Sequence, residues 1–445
     1  MDNFIDELNE QQREAVTTTE GYVRIIAGAG TGKTKALTYR YAYLVDELGI
    51  STSNILCVTF TNKAAREMSK RIRQMIGDSD TGYICTFHGF CVKLLREDIH
   101  AINYPQNFVV MDSEDTEDIL KTVYENAHIQ SRTYTFDMAR DHISAMKNEM
   151  QHIAYLADIS NDRLLADYEK ASDIPEKVFL GYLYEQKKVY GLDYDDLITI
   201  ALHILRTDAE KCHKWQERMM YVMVDEFQDT DQLQVDMIKR MAGPACERLC
   251  TVGDAQQSIY RFRGADVSVY HRHVEETRKA NPDGLVLLPD NFRSHADVLA
   301  FVDRVFEQPQ TFGSSFMSLA PARDESRVAR PFLGTGPRID VQMVTCPHRG
   351  VPAEQACRVA AQGIARRFAA LRDAGHAAGD MVLLLGSTTR AGVYAEELRR
   401  EGFPCVVVKG SIFNRAPEVR LMVRLAQAVA NPLDSLALFE VLSSE

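Results

Sequence analysis

Through the first hundred residues, short β-rich apolar runs alternate with longer segments whose apolar positions recur at helical spacing: YVRIIAG, KTKALTYRYAYLVDEL, ILCVTFT, AAREMSKRIRQMI and YICTF. Such alternation predicts a parallel sheet covered by helices. From about Asp112 to Ala209 the pattern turns helical, polar and acidic, opening with Asp112, Glu114, Asp115, Glu117 and Asp118. Strand-like runs return at YVMVDE (221–226) and LCTVGD (249–254), both ending in acids. The simplest topology is one sheet carrying a helical insertion. After the polar stretch Asn281 to Gly284 a second series follows, with strands expected at LVLLP, RIDVQMV, MVLLLG and CVVVKG and helices at AEELRRE and from Glu418 to Val429. Gln308 to Gly336, rich in Pro, Gly, Ser and Arg, predicts a loop. The chain closes on LALFEVLSSE without a final strand, so the second sheet is expected to be unfinished.

Composition narrows this picture. With 445 residues, 45% hydrophobic and 26% charged, the chain has apolar side chains for more than one core. No apolar run approaches the ~18 residues of a membrane helix. The opening MDNFIDELNE has four acids and no base, unlike a secretory signal, so a cytoplasmic location and no membrane partner are expected. The 51 basic and 63 acidic residues give a net charge of -12, which argues against a polybasic coat but leaves room for local cationic patches. Nine cysteines without a C-x-x-C pair read as reduced thiols rather than a metal site.

Two stretches carry chemistry. Ala27, Gly28, Ala29, Gly30, Thr31, Gly32, Lys33 and Thr34 follow an apolar strand and precede a helix, the setting in which a turn aims backbone N–H groups at phosphate oxygens. Gly28, Gly30 and Gly32 give the turn its dihedral freedom, Lys33 bridges terminal phosphates and the Thr34 hydroxyl ligates Mg²⁺. The strict phosphate-loop pattern has Gly where Ala27 stands. The second stretch is DEFQD at 225–229, after the apolar run Tyr221 to Val224. Its adjacent carboxylates suit nucleotide hydrolysis, Asp225 holding the metal and Glu226 orienting or deprotonating water. Alone, the same residues fit an acidic strand end facing solvent.

Taken in order, the motifs resemble the UvrD/Rep-like superfamily 1 DNA helicases from Leu8 to the last residue. LNEQQREAV is similar to the family's Q motif, and AGAGTGKT, with Ala first, to its phosphate loop; TFTNKAAREM, TFHGF, DEFQD, VGDAQQSIYRFRGA and DNFRS follow in family order. YDDLI (194–198) is similar to a further family signature, and fits equally a helix start capped by Asp195. The resemblance implies two RecA-like P-loop α/β domains: the first from 1–105 and 206–281, a helical insertion at 106–205, and an incomplete second domain at 282–445. It implies ATP and Mg²⁺ as cofactors. Gln12 would read the adenine edge, Lys35 and Phe292 would pack against adenine, Gln257 would contact the γ-phosphate, and Arg293 would enter the cleft from the second domain as an arginine finger.

For single-stranded DNA, and junctions of single and double strand, the resemblance points to Phe60, Tyr260 and Phe262 as base-stacking platforms with His88 and Arg263 nearby. Stacking grips without reading sequence, as translocation requires. Phe262 stands where relatives commonly carry Trp. The helix TNKAAREMSKRIRQM adds Lys63, Arg66, Lys70, Arg71 and Arg73 against the single acid Glu67, a local basic patch. The expected activity is ATP-dependent 3'-5' movement on DNA in repair or recombination, nucleotide closing and reopening two lobes. The family's later motifs, including a second catalytic arginine, are missing, so a fragment with reduced activity is expected. Competing readings are a helicase subunit of a helicase-nuclease complex and a catalytically silent regulatory module that binds ATP and DNA.

Overall fold

In the computed structural model, which describes residues 4–77, 81–261, 264–322, 337–345, 352–407, 417–430 and 441–442, the first apolar runs form a single parallel sheet. Its strands are β1 (Gly21–Ala27), β2 (Ile55–Thr59), β3 (Tyr83–Thr86), β6 (Tyr221–Val224), β7 (Arg248–Gly253) and β8 (Leu285–Leu288). They lie in the order β3-β2-β6-β7-β1-β8. Ile25 stands opposite Val252 on one side and Val286 on the other. β2 and β6 are buried along their whole length, which explains why they read as continuous apolar runs rather than alternating ones.

Helices cover both faces. On one face α1 (Glu10–Thr17), α2 (Lys33–Asp46) and α3 (Asn62–Ile76) enclose Val23, Ile25 and Ala27 with Leu37, Tyr41 and Met68. On the other, α4 (Phe87–Asp98), α10 (Tyr194–Thr207), α11 (Ala209–Arg218), α12 (Gln232–Ala242) and α13 (Val267–Ala280) enclose Leu56, Val58, Val222 and Val224 with Phe90, Leu94 and Trp215. Arg24 is buried on this second face and forms no salt bridge among the described residues. It donates to the Tyr270 carbonyl (3.1 Å) and the Tyr22 hydroxyl (3.3 Å) and sits 4.5 Å from the centre of the Phe227 ring, so aromatic faces stand in for a carboxylate.

The insertion begins and ends in a two-residue parallel pair, β4 (Val109–Val110) with β5 (Gly191–Leu192). Between them run α5 (Ser113–Asn126), α6 (Phe136–Asn148), α7 (His152–Ala157), α8 (Asn161–Lys170) and α9 (Ile174–Lys188), around Leu120, Ile143, Leu164, Phe179 and Leu183. Immediately after β5, Asp193 caps α10 in a capping box with Asp196. The cap is therefore Asp193 and not Asp195, because the helix starts at Tyr194. A buried cation ties insertion to cap: Lys147 on α6 donates to Asp193 (2.6 Å), Asp196 (2.9 Å) and Gln186 (3.2 Å), with the Tyr182 hydroxyl also on Asp193 (2.7 Å). α10 itself packs into the core of the sheet.

Leu285–Leu288, expected to open the second strand series, instead pairs with β1 as an edge of the first sheet. Its alternation of buried Val286 and Leu288 with half-exposed Leu287 suits an edge strand covered on one face. Two residues on, β9 (Asp290–Asn291) pairs with β10 (Ala320–Pro321). The chain divides into two compact units, residues 1–294 with 303–328, and 295–302 with 329–445, the division falling within α14 (Ala296–Phe306).

The second unit contains α15 (Ala353–Asp373), α16 (Ala391–Arg400) and α17 (Pro417–Ala430). Ala365, Leu398 and Phe403 pack with Phe368, Met381, Leu383 and Cys405. The expected strands at RIDVQMV, MVLLLG and CVVVKG form no strand and join no ladder among the described residues; part of the last, 408–410, and the chain end LALFEVLSSE, apart from 441–442, lie outside them. Period-two alternation is nevertheless real: Met381 and Leu383 face the helices while Val382, Leu384 and Val406 point outward. No described helix is long and apolar enough to cross a membrane.

Candidate nucleotide and nucleic-acid site

Because all six strands run the same way, their carboxyl ends form one rim, the usual place for ligands in an open α/β sheet. The phosphate loop follows β1, Phe60 follows β2, Thr86 caps the helix bearing His88 after β3, Asp225 and Glu226 follow β6, Asp254 follows β7, and Asp290 to Arg293 follow β8. All lie in the first compact unit.

In the phosphate loop, Gly30 (φ 78°) and Gly32 (φ 89°) occupy the left-handed region, and Gly32 is the N-cap of α2. Gly28 serves differently from the dihedral role expected of it: its φ is not positive, but a Cβ there would meet Leu319 at 2.6 Å. The loop is braced from both sides. Gln12, on a helix capped by Asn9, donates to the Thr31 carbonyl (3.1 Å), and Thr31 donates to the Gly28 carbonyl (3.0 Å). Opposite, Phe292 N–H donates to the Gly30 carbonyl (2.9 Å) and the Asn291 amide to that of Ala29 (2.5 Å). The other end of Asn291 accepts from the N–H groups of Arg293 (2.8 Å) and Ser294 (2.7 Å).

Lys33 is the electrostatic centre. Its Nζ is buried with no hydrogen-bond partner among the described residues. Burial lowers its pKa, opposed by Asp254, Asp225 and Glu226 and reinforced by Arg293. Across from it, burial and then Glu226 push Asp225 up to about 6, although Lys33 acts the other way; burial likewise raises Glu226. Asp225 is fixed by its N–H on the Val58 carbonyl (2.9 Å) and accepts from the Glu226 N–H (2.9 Å). Glu226 holds a left-handed backbone (φ 52°), unusual for a non-glycine residue and a recurring feature of functional sites.

Gln257 donates to Asp254 (2.5 Å), whose N–H donates to Gln228 (2.9 Å); the Gln228 amide reaches Asp229 (3.0 Å). Asp254 and Gln228 thus join the acidic loop to the Gln257 turn, a connection not evident from the motifs. A cleft of about 990 Å³ brings together Gln12, the phosphate loop, Thr34, Lys35, Gln257, Phe292 and Arg293. It is also lined by Glu7, Tyr39 and Arg71, which sequence reasoning did not assign to it. Lys35 donates to the Glu7 carbonyl (3.1 Å) and lies 5.0 Å over the Tyr39 ring, and the Tyr39 hydroxyl donates to Glu7 (2.5 Å).

The residues present fit a Mg²⁺-bound nucleoside triphosphate. An unpartnered buried ammonium, two left-handed glycines and a helix N-terminus suit polyphosphate. A Thr hydroxyl with one carboxylate supplies hard oxygen donors of the kind Mg²⁺ takes alongside phosphates.

Along the rim two aromatic pairs stand out. Phe60 and Tyr260 have ring centres 4.9 Å apart at 32°. His88 meets Tyr194, which is 48% exposed, edge to face at 5.1 Å; burial lowers the His88 pKa. Tyr194 opens the YDDLI signature, and that was the available signal. Lys63 is exposed on α3. Phe262 and Arg263 lie outside the described residues.

Phosphate-loop turn, acidic pair and rim aromatics are gathered on the carboxyl rim of one α/β sheet, and the chain belongs to the UvrD/REP helicase N-terminal domain family, which matches residues 8–278. Among its relatives are the ATP-dependent DNA helicases PcrA of Staphylococcus aureus strain Mu50, 30% identical over 444 residues, and of Staphylococcus epidermidis strain RP62A, 29% identical over 444 residues. Each alignment covers 100% of this chain and 56% of the relative, so the chain spans about half the length of the curated relatives it matches.

Proposed function

We propose that this chain couples ATP hydrolysis to movement on single-stranded DNA. The carrying observation is the Lys33 ammonium, buried without a hydrogen bond among the described residues and under the influence of Asp225, Glu226, Asp254 and Arg293 at the phosphate loop. In this reading Lys33 and the loop N–H groups bind the β- and γ-phosphates. Thr34 and Asp225 hold Mg²⁺, which neutralises phosphate charge. Glu226, its proton affinity raised by burial, accepts a proton from the attacking water. Arg293 and Gln257 lie at the terminal phosphate, Arg293 stabilising charge on the transferring group. Gln12, Lys35 and Phe292 receive the base.

Phe60 and Tyr260, with Phe262, His88, Lys63 and Arg263, hold the DNA strand, and Tyr194 joins them by its place against His88. Junctions of single and double strand are the proposed working substrate, with 3'-5' movement, a repair or recombination role and a cytoplasmic location carried over from the resemblance. The proposed organisation is two RecA-like domains with a helical insertion in the first, the first taking in α10 and the edge strand Leu285–Leu288. The family relationship supports this reading, as does the gathering of the motifs on one rim. The test is nucleotide turnover with and without single-stranded DNA. Stimulation by DNA, lost in Lys33→Ala, is expected; turnover unaffected by that substitution would remove the proposal.

A further inference from the structure

The five cations of α3 do not form one patch. Arg71 lines the nucleotide cleft and pairs with Glu67. Arg66, Lys70 and Arg73 line a different groove, of about 670 Å³, where α3 lies against β3. Asn62 opens the same stripe, and spacings of three or four residues put all four on one helix face. Arg66, Lys70 and Arg73 are exposed and form no ion pair among the described residues. Like charges at these spacings oppose helix formation, and no described acid on this stripe offsets them.

Charge beside an edge strand is often protection against pairing, and β3 is the edge of the sheet. Here, however, the cations stand on the neighbouring helix, and β3 itself contributes Ile84 and Cys85 to the groove. From Asn62 to Arg73 the stripe runs about 16 Å at the helical rise per residue. It starts two residues after Phe60, at the rim. Among the described residues no aromatic ring lines it, so it offers charge without stacking.

We propose that this groove carries the sugar-phosphate backbone of single-stranded DNA beyond the Phe60–Tyr260 pair, as an extension of the strand site that grips phosphate alone. The inference rests on the function proposed above and assigns that site a second, purely electrostatic segment. A strand of about eight nucleotides occupies the aromatic pair without needing the groove, whereas one of about twenty engages both.

The experiment compares the full chain with Lys70→Ala/Arg73→Ala, both substitutions exposed, using thymidine oligonucleotides of about eight and about twenty nucleotides over a range of salt. Two lost contacts should reduce the slope of log affinity against log salt by about 1.4 for the longer strand, at ~0.7 per phosphate contact. The same variant should bind the longer strand on the order of ten-fold more weakly at low salt and the shorter one within about two-fold of the parent. An unchanged slope for the longer strand overturns the proposal while the eight-mer still reports a working strand site. Equal losses for both lengths overturn it too, by placing the cations within the main site. Capture of polyglutamate by the parent and not the variant, with DNA binding unaltered, would instead assign the groove to an acidic protein segment. If the parent binds neither oligonucleotide, the function proposed above falls as well.

Discussion

Asn291 holds the phosphate loop and the arginine segment together, donating to the Ala29 carbonyl at 2.5 Å while accepting from the Arg293 N–H at 2.8 Å. One buried amide therefore sets where the Arg293 backbone stands relative to the glycine turn. Asn291→Ala leaves those buried backbone groups unpaired, with an expected loss of about 1–3 kcal/mol in stability. Turnover should fall at least ten-fold with a smaller change in nucleotide KM, since misplacement of a reacting group acts chiefly on kcat. Denaturation curves and steady-state kinetics on the same preparation check both parts.

Lys33→Met should separate stability from function. The parent residue buries an ammonium without a hydrogen bond, so an apolar chain of similar length is expected to leave the nucleotide-free protein as stable or more so. Stabilisation by nucleotide, about 2.7 kcal/mol at a hundred times the dissociation constant, should vanish. Thermal melts with and without ATP and Mg²⁺ measure both.

The pH dependence of Asp225 has a definite sign. Its folded pKa, about 6, lies above the ordinary 3.8, so between those values the native state binds more protons than the unfolded one. Its contribution to stability is therefore favourable below that window and declines as pH rises through it. Asp225→Asn, whose amide oxygen can still accept from the Glu226 N–H, should raise apo stability by on the order of 2–3 kcal/mol at pH 8, and the gain should fade between about pH 6 and 4. Urea melts at a series of pH values test it. The same variant should lose Mg²⁺-dependent turnover.

Removing the Lys147 charge should be costly. Lys147→Ala leaves Asp193 and Asp196 facing each other in the interior, with an expected loss of about 3–5 kcal/mol. Adding Asp196→Asn should recover part of it. Equal destabilisation in single and double variants would show that the cation contributes only packing.

Phe60→Ala should weaken single-stranded DNA binding by roughly 5- to 150-fold, the range for loss of one stacking platform, while Phe60→Trp retains most of the affinity. Fluorescence anisotropy with oligonucleotides of mixed sequence measures it.

The sheet, its helical insertion and the cleft that gathers Gln12, the phosphate loop, Lys35, Gln257, Phe292 and Arg293 were legible because apolar periodicity marks strand and helix directly and phosphate chemistry demands residues with few substitutes, such as Gly30, Gly32 and Lys33. Long-range partnership was less legible. Nothing local in Leu285–Leu288 tells which sheet it joins, and its pairing with β1 depends on tertiary packing. Asp193 and Asp195 are equally good caps by residue type, and only the position of the first helical turn decides between them. Helical spacing divides four of the α3 cations between two grooves, yet which side each groove takes depends on where α3 sits against β3. Arg24 illustrates the opposite failure, a charge in a central strand whose tolerance comes from Phe227 and Tyr270, both more than two hundred positions away.

The shared direction of the six strands also leaves a rear margin. Their amino-terminal ends lie opposite the rim, and exposed Glu247, immediately before β7, belongs to that margin. Under the proposed function, a linker attached there would hold the first unit to a bead or coated slide by the side away from the rim, so that the anchor itself does not occupy the margin where a strand would be captured.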